Sequence, residues 1–405
     1  MNRTVDVLVV GAGPAGLAAA ARLAAAGAGR VEVLERERAA GGVPRHCGHP
    51  GFGADRRGRP LDGPAYARRA VRAALRAGAV VRTGVSATGW AGPLTLDVTA
   101  PTGLERIRAG AVVLATGTRE RPRSARLVPG SRPAGVLTTG ELQQTVRMFG
   151  PGDERVRERV GRRAVVVGGE PVARHAVRAL RGAGVEVAAV VTELPRAAHG
   201  FGPVPVLTRT AVTELLGRGR LTGVAVRGRG GGTSVLRCDT VVFTGDWIPD
   251  HELARARGLA MAPDTRGPVT DGSYRTVEPG VFAAGNLLRG VEPARVAAAE
   301  GRAAADAVLD LLAGRHRPAE GVPVVTEGPL RWVTPGLLDA VAATVLVRPD
   351  RHLVRPLLTV TQGGVPLRRE RLRGSLAPWR SVRLGPEWTR GMDPAGGPVV
   401  IGAEE

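Results

Sequence analysis

The segment GGVPRHCGHPGFG, residues 41–53, holds the densest group of chemically active side chains in the sequence. His46, Cys47 and His49 lie within four consecutive positions, and glycine and proline crowd both sides. Imidazoles and thiolates bind metals, a thiolate exchanges with disulfides, and imidazole transfers protons near neutral pH. The segment is therefore a metal site, a redox thiol, or a loop shaped around a larger ligand.

Cysteine usage weakens the metal hypothesis. The chain has two cysteines, which excludes a four-thiolate zinc or iron–sulfur site within it. Three adjacent donors in one tight loop do not easily close a tetrahedron, and no fourth donor is evident, so we predict no metal. Two interpretations stay open: a purely structural loop, or an acid/base or substrate-orienting role for His49 and, less favoured, for His46.

A glycine-rich turn near the N-terminus indicates nucleotide binding. GAGPAG, residues 11–16, follows the apolar run VDVLVV and precedes an Ala-rich helix. Gly11 permits a tight turn, Gly13 lets a pyrophosphate approach the backbone, and Gly16 permits close helix–strand packing. The pyrophosphate would lie at the positive N-terminus of the helix. Glu35 ends the next strand, where its carboxylate can accept hydrogen bonds from ribose hydroxyls.

The same order of elements occurs twice. Residues 163–193 again read strand, glycine turn, helix, strand, while three short β-type runs precede the apolar strand AVVLATG of the first copy. This pattern predicts an α/β protein with two Rossmann-like dinucleotide-binding domains. A Pro- and Arg-rich break at 314–323 sets off a small β-rich C-terminal extension. The predicted domains are 1–122 with 267–315, then 155–266 inserted between them, and 323–405.

The composition limits the classes of partner that the protein is expected to bind. The net charge is +20, and all 57 basic residues are arginine, but they are spread along the chain and aromatic residues amount to 3%. We therefore predict no nucleic-acid partner. Asp6, Arg22 and the glycine turn interrupt the apolar N-terminal stretch, so we expect a strand–turn–helix there and no membrane span or signal peptide. The two cysteines fit a reducing, cytoplasmic setting.

Four segments carry a family resemblance. VDVLVVGAGPAGLAAAARL, VEVLERERAAGG, VVLATGTRERP and VEPGVFAAGNLL resemble successive signatures of the two-dinucleotide-fold FAD/NAD(P)-binding oxidoreductases, the pyridine nucleotide-disulfide oxidoreductase-like superfamily. ATGTRERPRSARLVPGSRPAGVLTTGELQ is similar to the alpha subunits of sarcosine oxidase, opine oxidase, hydrogen cyanide synthase and hydroxyproline dehydrogenase. The resemblance implies an FAD-dependent dehydrogenase, or an electron-transfer subunit, that works on an amine, amino acid or hydroxy acid.

The resemblance also assigns cofactor contacts. Thr116 and Gly117 would line the FAD crossing, and Gly285 with Asn286 would hold the pyrophosphate and ribityl chain. Asn286 replaces the aspartate usual in the family but keeps an acceptor oxygen. A helix beginning near Pro293 would direct its N-terminus towards the flavin. The implied contacts to AMP and pyrophosphate are Gly11, Gly13, Pro14, Ala15, Gly16, Glu35, Arg36 and Gly42.

The resemblance reinterprets the opening loop. Disulfide-reductase members carry two cysteines after the Gly-Gly pair, and counting from Gly42 those places hold Pro44 and His49. Cys47 falls at neither place, so the redox disulfide is absent. His49 would occupy the position of the flavin-facing sulfur.

The second glycine turn is a weaker nucleotide site. Gly168 and Gly169 would contact NAD(P)H, but Glu170 would repel a pyrophosphate and Pro171 offers no N–H. We prefer a degenerate second fold kept as a scaffold. Two other functions stay open, an NAD(P)H-dependent flavin reductase without a redox disulfide and a non-catalytic FAD-binding subunit. Many members of the alpha-subunit branch carry or pair with an iron–sulfur module, for which this chain lacks the cysteines. Besides a small-molecule substrate, the resemblance therefore implies a ferredoxin-like or second dehydrogenase subunit if the electrons leave by a one-electron route.

Overall fold

The computed structural model describes residues 2–55, 57–315, 319–339 and 344–405, so residues 316–318 of the predicted 314–323 break lie outside the described residues. Contacts divide the chain into two compact units. Unit 1 comprises Met1–Arg45, Pro50–Thr118 and Pro249–Glu405, and unit 2 comprises His46–His49 and Arg119–Ile248.

The elements are numbered in chain order. The helices are α1 (Pro14–Ala25), α2 (Gly63–Arg76), α3 (Thr139–Phe149), α4 (Glu154–Val160), α5 (Pro171–Gly182), α6 (Glu252–Ala256) and α7 (Ala294–Leu312). The strands up to residue 120 are β1 (Asn2–Val10), β2 (Val31–Glu35), β3 (Pro50–Ala54), β4 (Pro60–Asp62), β5 (Val80–Thr83), β6 (Ser86–Gly92), β7 (Thr95–Ala100), β8 (Gly103–Leu114) and β9 (Thr118–Glu120).

The remaining strands follow the same numbering. Those before residue 250 are β10 (Val136–Thr138), β11 (Arg163–Val167), β12 (Glu186–Val191), β13 (Val206–Leu207), β14 (Ala211–Leu216), β15 (Gly223–Arg227), β16 (Thr233–Arg237), β17 (Thr240–Phe243) and β18 (Trp247–Pro249). Those after it are β19 (Val281–Ala283), β20 (Val322–Thr326), β21 (Leu330–Thr334), β22 (Leu337–Leu338), β23 (Val345–Pro349), β24 (Leu357–Gln362), β25 (Val365–Arg371), β26 (Val382–Leu384) and β27 (Val399–Glu404).

Unit 1 is built on a mixed sheet of order β5-β2-β1-β8-β7-β6, with β19 also paired to β8. The pairs of β1 with β2 and of β8 with β1 and β19 are parallel, whereas β7 pairs antiparallel with β8 and β6. The predicted runs LERIRAG and AVVLATG therefore form one strand rather than two, because β8 continues from the antiparallel meander into the buried parallel core.

Helices α1 and α7 pack together on this sheet. Their apolar faces contribute Leu17, Leu23 and Val308 to a core in which all three side chains are buried. The helices approach closely because Gly301 has no side chain: a Cβ there would lie 2.0 Å from the backbone oxygen of Ala15. An Ala- and Gly-rich helix pair is thus required for this close contact.

Unit 2 contains the second copy of the fold. Its main sheet has the order β10-β17-β11-β12-β13, and all of its pairs are parallel. Beside it β14, β15 and β16 form an antiparallel sheet. The N–H of Gly168 donates to the Val191 oxygen at 2.8 Å, as the N–H of Gly11 does to the Leu34 oxygen at 2.9 Å. The predicted α/β class with two Rossmann-like folds is confirmed.

The C-terminal extension is β-rich, as predicted. Sheets of order β22-β20-β27-β24-β25 and β21-β23-β26 enclose their own apolar core. The predicted hairpin at Gly363–Gly364 is confirmed by antiparallel β24 and β25, and the predicted strand at GGPVVIG is β27. Among the described helices, none combines the length and apolar character that a membrane crossing requires.

Candidate functional site

The first glycine turn joins β1 to α1 and leaves no room for side chains at two positions. Gly11 has φ +105°, and a Cβ there would lie 2.4 Å from the Ala115 oxygen. A Cβ on Gly16 would lie 1.9 Å from the Gly11 oxygen. These two glycines are therefore required by the fold, whether or not a ligand is bound.

Gly13 differs, because a Cβ there would meet no atom within 4 Å. It is the N-cap of α1, no side chain caps the helix, and Pro14 follows in the first turn. The first backbone N–H groups of a helix have no acceptor within the helix, and no side chain caps them here. A dinucleotide pyrophosphate fits this turn, since helix N-termini attract phosphates.

Glu35 lies beside the turn at the end of β2. Its carboxylate accepts hydrogen bonds from the N–H of Ala12 at 3.2 Å and of Glu37 at 2.9 Å. Burial raises the pKa of the Glu35 carboxyl, and the two backbone N–H groups partly oppose that shift. Gly42 abuts Gly13, since a Cβ on Gly42 would lie 2.8 Å from its Cα. The structure thus brings these predicted residues together.

Three other predicted residues meet at Asp250, which was not among the predicted contacts. Arg36 forms an ion pair with the Asp250 carboxylate at 2.8 Å. The Thr116 hydroxyl donates to the Asp250 backbone oxygen at 2.6 Å, and the Asp250 N–H donates to the oxygen of Gly117 at 2.8 Å. Their contacts in the structure are with this aspartate, which no local motif in the sequence marks.

The loop before α7 contains the last predicted contacts. Gly285 packs against α1, because a Cβ added to Gly285 would lie 2.7 Å from the Cβ of Ala15. The Asn286 side-chain oxygen accepts from the N–H of Glu292 at 2.9 Å, and its amide donates to the Glu292 oxygen at 3.3 Å. Asn286 therefore closes this loop, with a second lone pair left on its oxygen. Pro293 is the N-cap of α7, so the helix begins where the sequence predicts.

The second glycine turn is filled by a side chain. Glu170 is the N-cap of α5 with φ −81° and ψ 169°, and Pro171 follows it, just as Gly13 and Pro14 begin α1. Its carboxylate lies beside the loop after β17, where a Cβ on Gly245 would be 2.4 Å from it. Burial raises the pKa of the Glu170 carboxyl. The N-cap position that has no side chain in the first fold therefore carries a buried carboxyl here.

Unit 2 also contains the histidines of the opening loop. The rings of His49 and His175 are stacked, with centroids 3.4 Å apart and an interplanar angle of 7°. Burial, and to a smaller extent the nearby His49, lowers the pKa of the His175 imidazole to about 4. His175 is therefore neutral at pH 7. His46 is half-buried in the same segment and is not part of this stack.

Cys47 is a buried thiol. Its Sγ lies 3.4 Å from the side-chain oxygen of Gln143, and neither of the two cysteines forms a disulfide. Burial raises the pKa of the Cys47 thiol to about 12, so a thiolate does not form near neutral pH. In the part of the chain that the structure describes, no three His, Cys, Asp or Glu side chains come together to hold a metal ion.

Comparison with known proteins identifies related sequences. A family model described as pyridine nucleotide-disulphide oxidoreductase matches residues 5–301. The alpha subunit of sarcosine oxidase from Rhizobium meliloti is 29% identical over 392 residues, covering 88% of this chain and 36% of that relative. The A subunit of opine oxidase from Agrobacterium tumefaciens is 31% identical over 335 residues, covering 75% of this chain and 65% of that relative. The chain thus spans about a third and two thirds of these relatives.

A solved structure shares the fold. The thioredoxin reductase of T. acidophilum aligns with a TM-score of 0.61 at 24% identity, covering 77% of this chain and 99% of that one. At this identity the likeness concerns the fold alone.

Proposed function

Because the chain belongs to the pyridine nucleotide-disulphide oxidoreductase family, whose members bind FAD, we propose that it is a dehydrogenase that oxidises an amine, amino acid or hydroxy acid. As a flavin-dependent oxidoreductase it needs a source of electrons, and the two glycine turns differ in a way that bears on that source. The similarity to alpha and A subunits of sarcosine and opine oxidases supports an amine or amino acid.

The residues of the first turn would hold the cofactor. Gly13 and the N-terminus of α1 would receive the pyrophosphate, and Glu35 the adenosine ribose. When bound, FAD supplies the acceptor for a hydride from the substrate. The other proposed contacts are Gly11, Pro14, Ala15, Gly16, Arg36, Gly42, Thr116, Gly117, Gly285 and Asn286.

One observation supports an organic substrate, rather than NAD(P)H, as the electron donor. Equivalent N-cap positions hold Gly13 in the first fold and Glu170 in the second, and the Glu170 carboxylate fills the space beside its own turn. A buried carboxyl there excludes a pyrophosphate by volume and, when ionised, by charge. We infer that Gly168 and Gly169 do not hold NAD(P)H, so the electrons come from the organic substrate.

His49 is the proposed acid/base residue, with His46 as the second candidate. Its ring lies against His175, whose low pKa keeps that ring uncharged at neutral pH. A neutral neighbour does not repel the proton that His49 would take from a substrate amine or hydroxyl. The electrons would leave through a ferredoxin-like or second dehydrogenase subunit, since both reported oxidase relatives are named as subunits.

An anaerobic reductive titration tests the proposal. Purified protein is reconstituted with FAD and mixed with NADH, NADPH and a panel of N-alkyl amino acids, cyclic amino acids, opines and hydroxy acids. We expect one of the organic substrates to bleach the flavin band near ~450 nm and neither nicotinamide to do so. The His49→Ala variant should keep its flavin content but be reduced more slowly by that substrate.

Each other outcome has a defined meaning. Bleaching by NADH or NADPH alone would make the protein a nicotinamide-dependent flavin reductase. Bound flavin inert to every compound would favour a non-catalytic role within a larger complex. An unchanged reduction rate in His49→Ala would indicate that His49 has only a structural role.

A further inference from the structure

Two ion pairs are buried around the loop that leads into α7. Arg289, 1% exposed, pairs with the carboxylate of Glu300 on α7, whose other oxygen accepts from the N–H of Gly285 at 3.1 Å. Glu292, 6% exposed, pairs with Arg348 at 2.6 Å. Charged side chains this deeply buried are stable only when they are paired and hydrogen-bonded. The loop is thus held from both sides by opposite charges.

Arg348 comes from β23 of the C-terminal extension. Its guanidinium donates to the backbone oxygens of Gly290 at 3.0 Å and Val291 at 2.9 Å, as well as to the Glu292 carboxylate. Ser381, also in the extension, donates to the other Glu292 oxygen at 2.8 Å. The extension therefore contacts the loop through polar groups at three consecutive residues.

Trp332 of β21 strengthens this attachment. Its ring lies 4.8 Å from the guanidinium carbon of Arg348 and 5.7 Å from that of Arg289. The indole is 3% exposed, so both cation–π contacts are shielded from water. The family model matches residues 5–301, so Arg348, Trp332 and Ser381 lie outside the matched segment.

The charges have a consequence for α7. Glu292 immediately precedes the N-cap Pro293, so it brings a negative charge next to the positive end of a 19-residue helix in the sequence. An unpaired carboxylate here would cancel that positive end and repel an anionic ligand. Arg348 supplies the compensating charge, because a guanidinium stays protonated at all ordinary pH values.

We propose that the C-terminal extension balances the charge of the loop 285–293, which leads into α7. Arg348 neutralises Glu292 and so keeps the N-terminus of α7 positive towards the bound dinucleotide. We call this contact between the extension and the loop the brace. Arg348 acts through Glu292 and the loop backbone, which makes it a positioning residue. The proposal rests on FAD binding at the first glycine turn. It does not depend on which substrate is oxidised.

Opposite charge changes provide the test. In Arg348→Met the Glu292 carboxylate is left without its cation, so the apparent Kd for FAD should rise about tenfold or more, and the flavin midpoint potential should become more negative. In Glu292→Gln the cation is left without its carboxylate, so the potential should become more positive. Arg348→Lys keeps the charge and should keep the potential near that of the wild type. FAD affinity is measured by titrating apoprotein, and the potential by equilibration with a reference dye.

A matched control and a double variant complete the design. Arg369→Met removes an exposed arginine from β25 of the same extension and should change neither quantity. If Arg348→Met is insoluble, the test is Glu292→Gln together with the double variant Glu292→Gln/Arg348→Met, whose potential should return towards the wild-type value. Shifts of the same sign in both single variants, or none beyond the control, would contradict the brace and indicate general destabilisation.

The two proposals fail in different ways. Because the readouts need no substrate, a protein that no organic substrate reduces still reports on the brace. A wild-type protein that takes up no FAD would contradict both proposals.

Discussion

At Gly13, the effect of a substitution on ligand binding can be separated from its effect on folding. A Cβ there meets no atom within 4 Å, so substitution should leave the protein folded. We predict that Gly13→Asp purifies without FAD, because its carboxylate would face the pyrophosphate, with a loss of affinity of about 100-fold or more. Gly13→Asn, equal in size but uncharged, should retain more flavin. Flavin absorbance relative to protein measures both variants, and a fully yellow Gly13→Asp protein would refute this binding site.

His175 predicts a pH dependence of stability. Its pKa falls from 6.5 to about 4 on folding because of burial, with His49, Arg174 and Arg178 adding positive charge nearby. Between these values the unfolded chain binds the proton more readily, so the free energy of unfolding should decrease as the pH falls through this window. After allowance for solvent screening we expect about 1–2 kcal/mol.

Denaturant unfolding at pH 7 and pH 4.5 measures this dependence. His175→Phe keeps a flat ring against His49 but cannot titrate, so it should lose that part of the decrease. His251→Phe replaces a histidine that is not among the main groups lowering the pKa of His175, and it serves as the control. An identical pH dependence in wild type and His175→Phe would show that His175 does not titrate as described.

At the scale of the elements, the N-terminus of α5 is the informative contrast to α1. We predict that Glu170→Gly gains measurable affinity for ADP-ribose or NADH, because it empties the space beside the second turn and removes a carboxyl. Glu170→Gln keeps the volume and should not bind. Calorimetric titration of both variants and the wild type measures the difference, and wild-type binding equal to that of Glu170→Gly would contradict the proposed exclusion of NAD(P)H.

At the scale of the whole molecule, local patterns and distant contacts differed in how well they could be predicted. The glycine turns, Glu35 and the repeated fold follow from local patterns of glycines and apolar residues, and the structure bears out the predicted fold. The joining of two runs in β8 was missed, since nothing local separates one long strand from two short ones. The stacking of His49 on His175 and the pair of Arg348 with Glu292 join residues far apart in sequence, so no local pattern indicates them.

The predicted domain limits at 122, 155, 267 and 323 stay a prediction, as do the individual cofactor contacts. One signal of the buried network was nevertheless present. Glu300 is the single carboxylate inside the run ARVAAAEGRAAA, and a carboxylate on the buried face of a helix requires a partner. That partner, Arg289, lies in the preceding loop rather than on the helix, which is why helical spacing does not reveal it.

The contact between Gly301 and Ala15 determines a distance within the molecule. Helices α1 and α7 touch where one methyl group is missing, close to the start of α1 and two turns into α7. This contact therefore fixes the distance between the two positively polarised helix N-termini. A side chain at Gly301 would widen that gap without altering either end, so the dimension that the protein offers to a long anionic ligand depends on a residue that need not touch it.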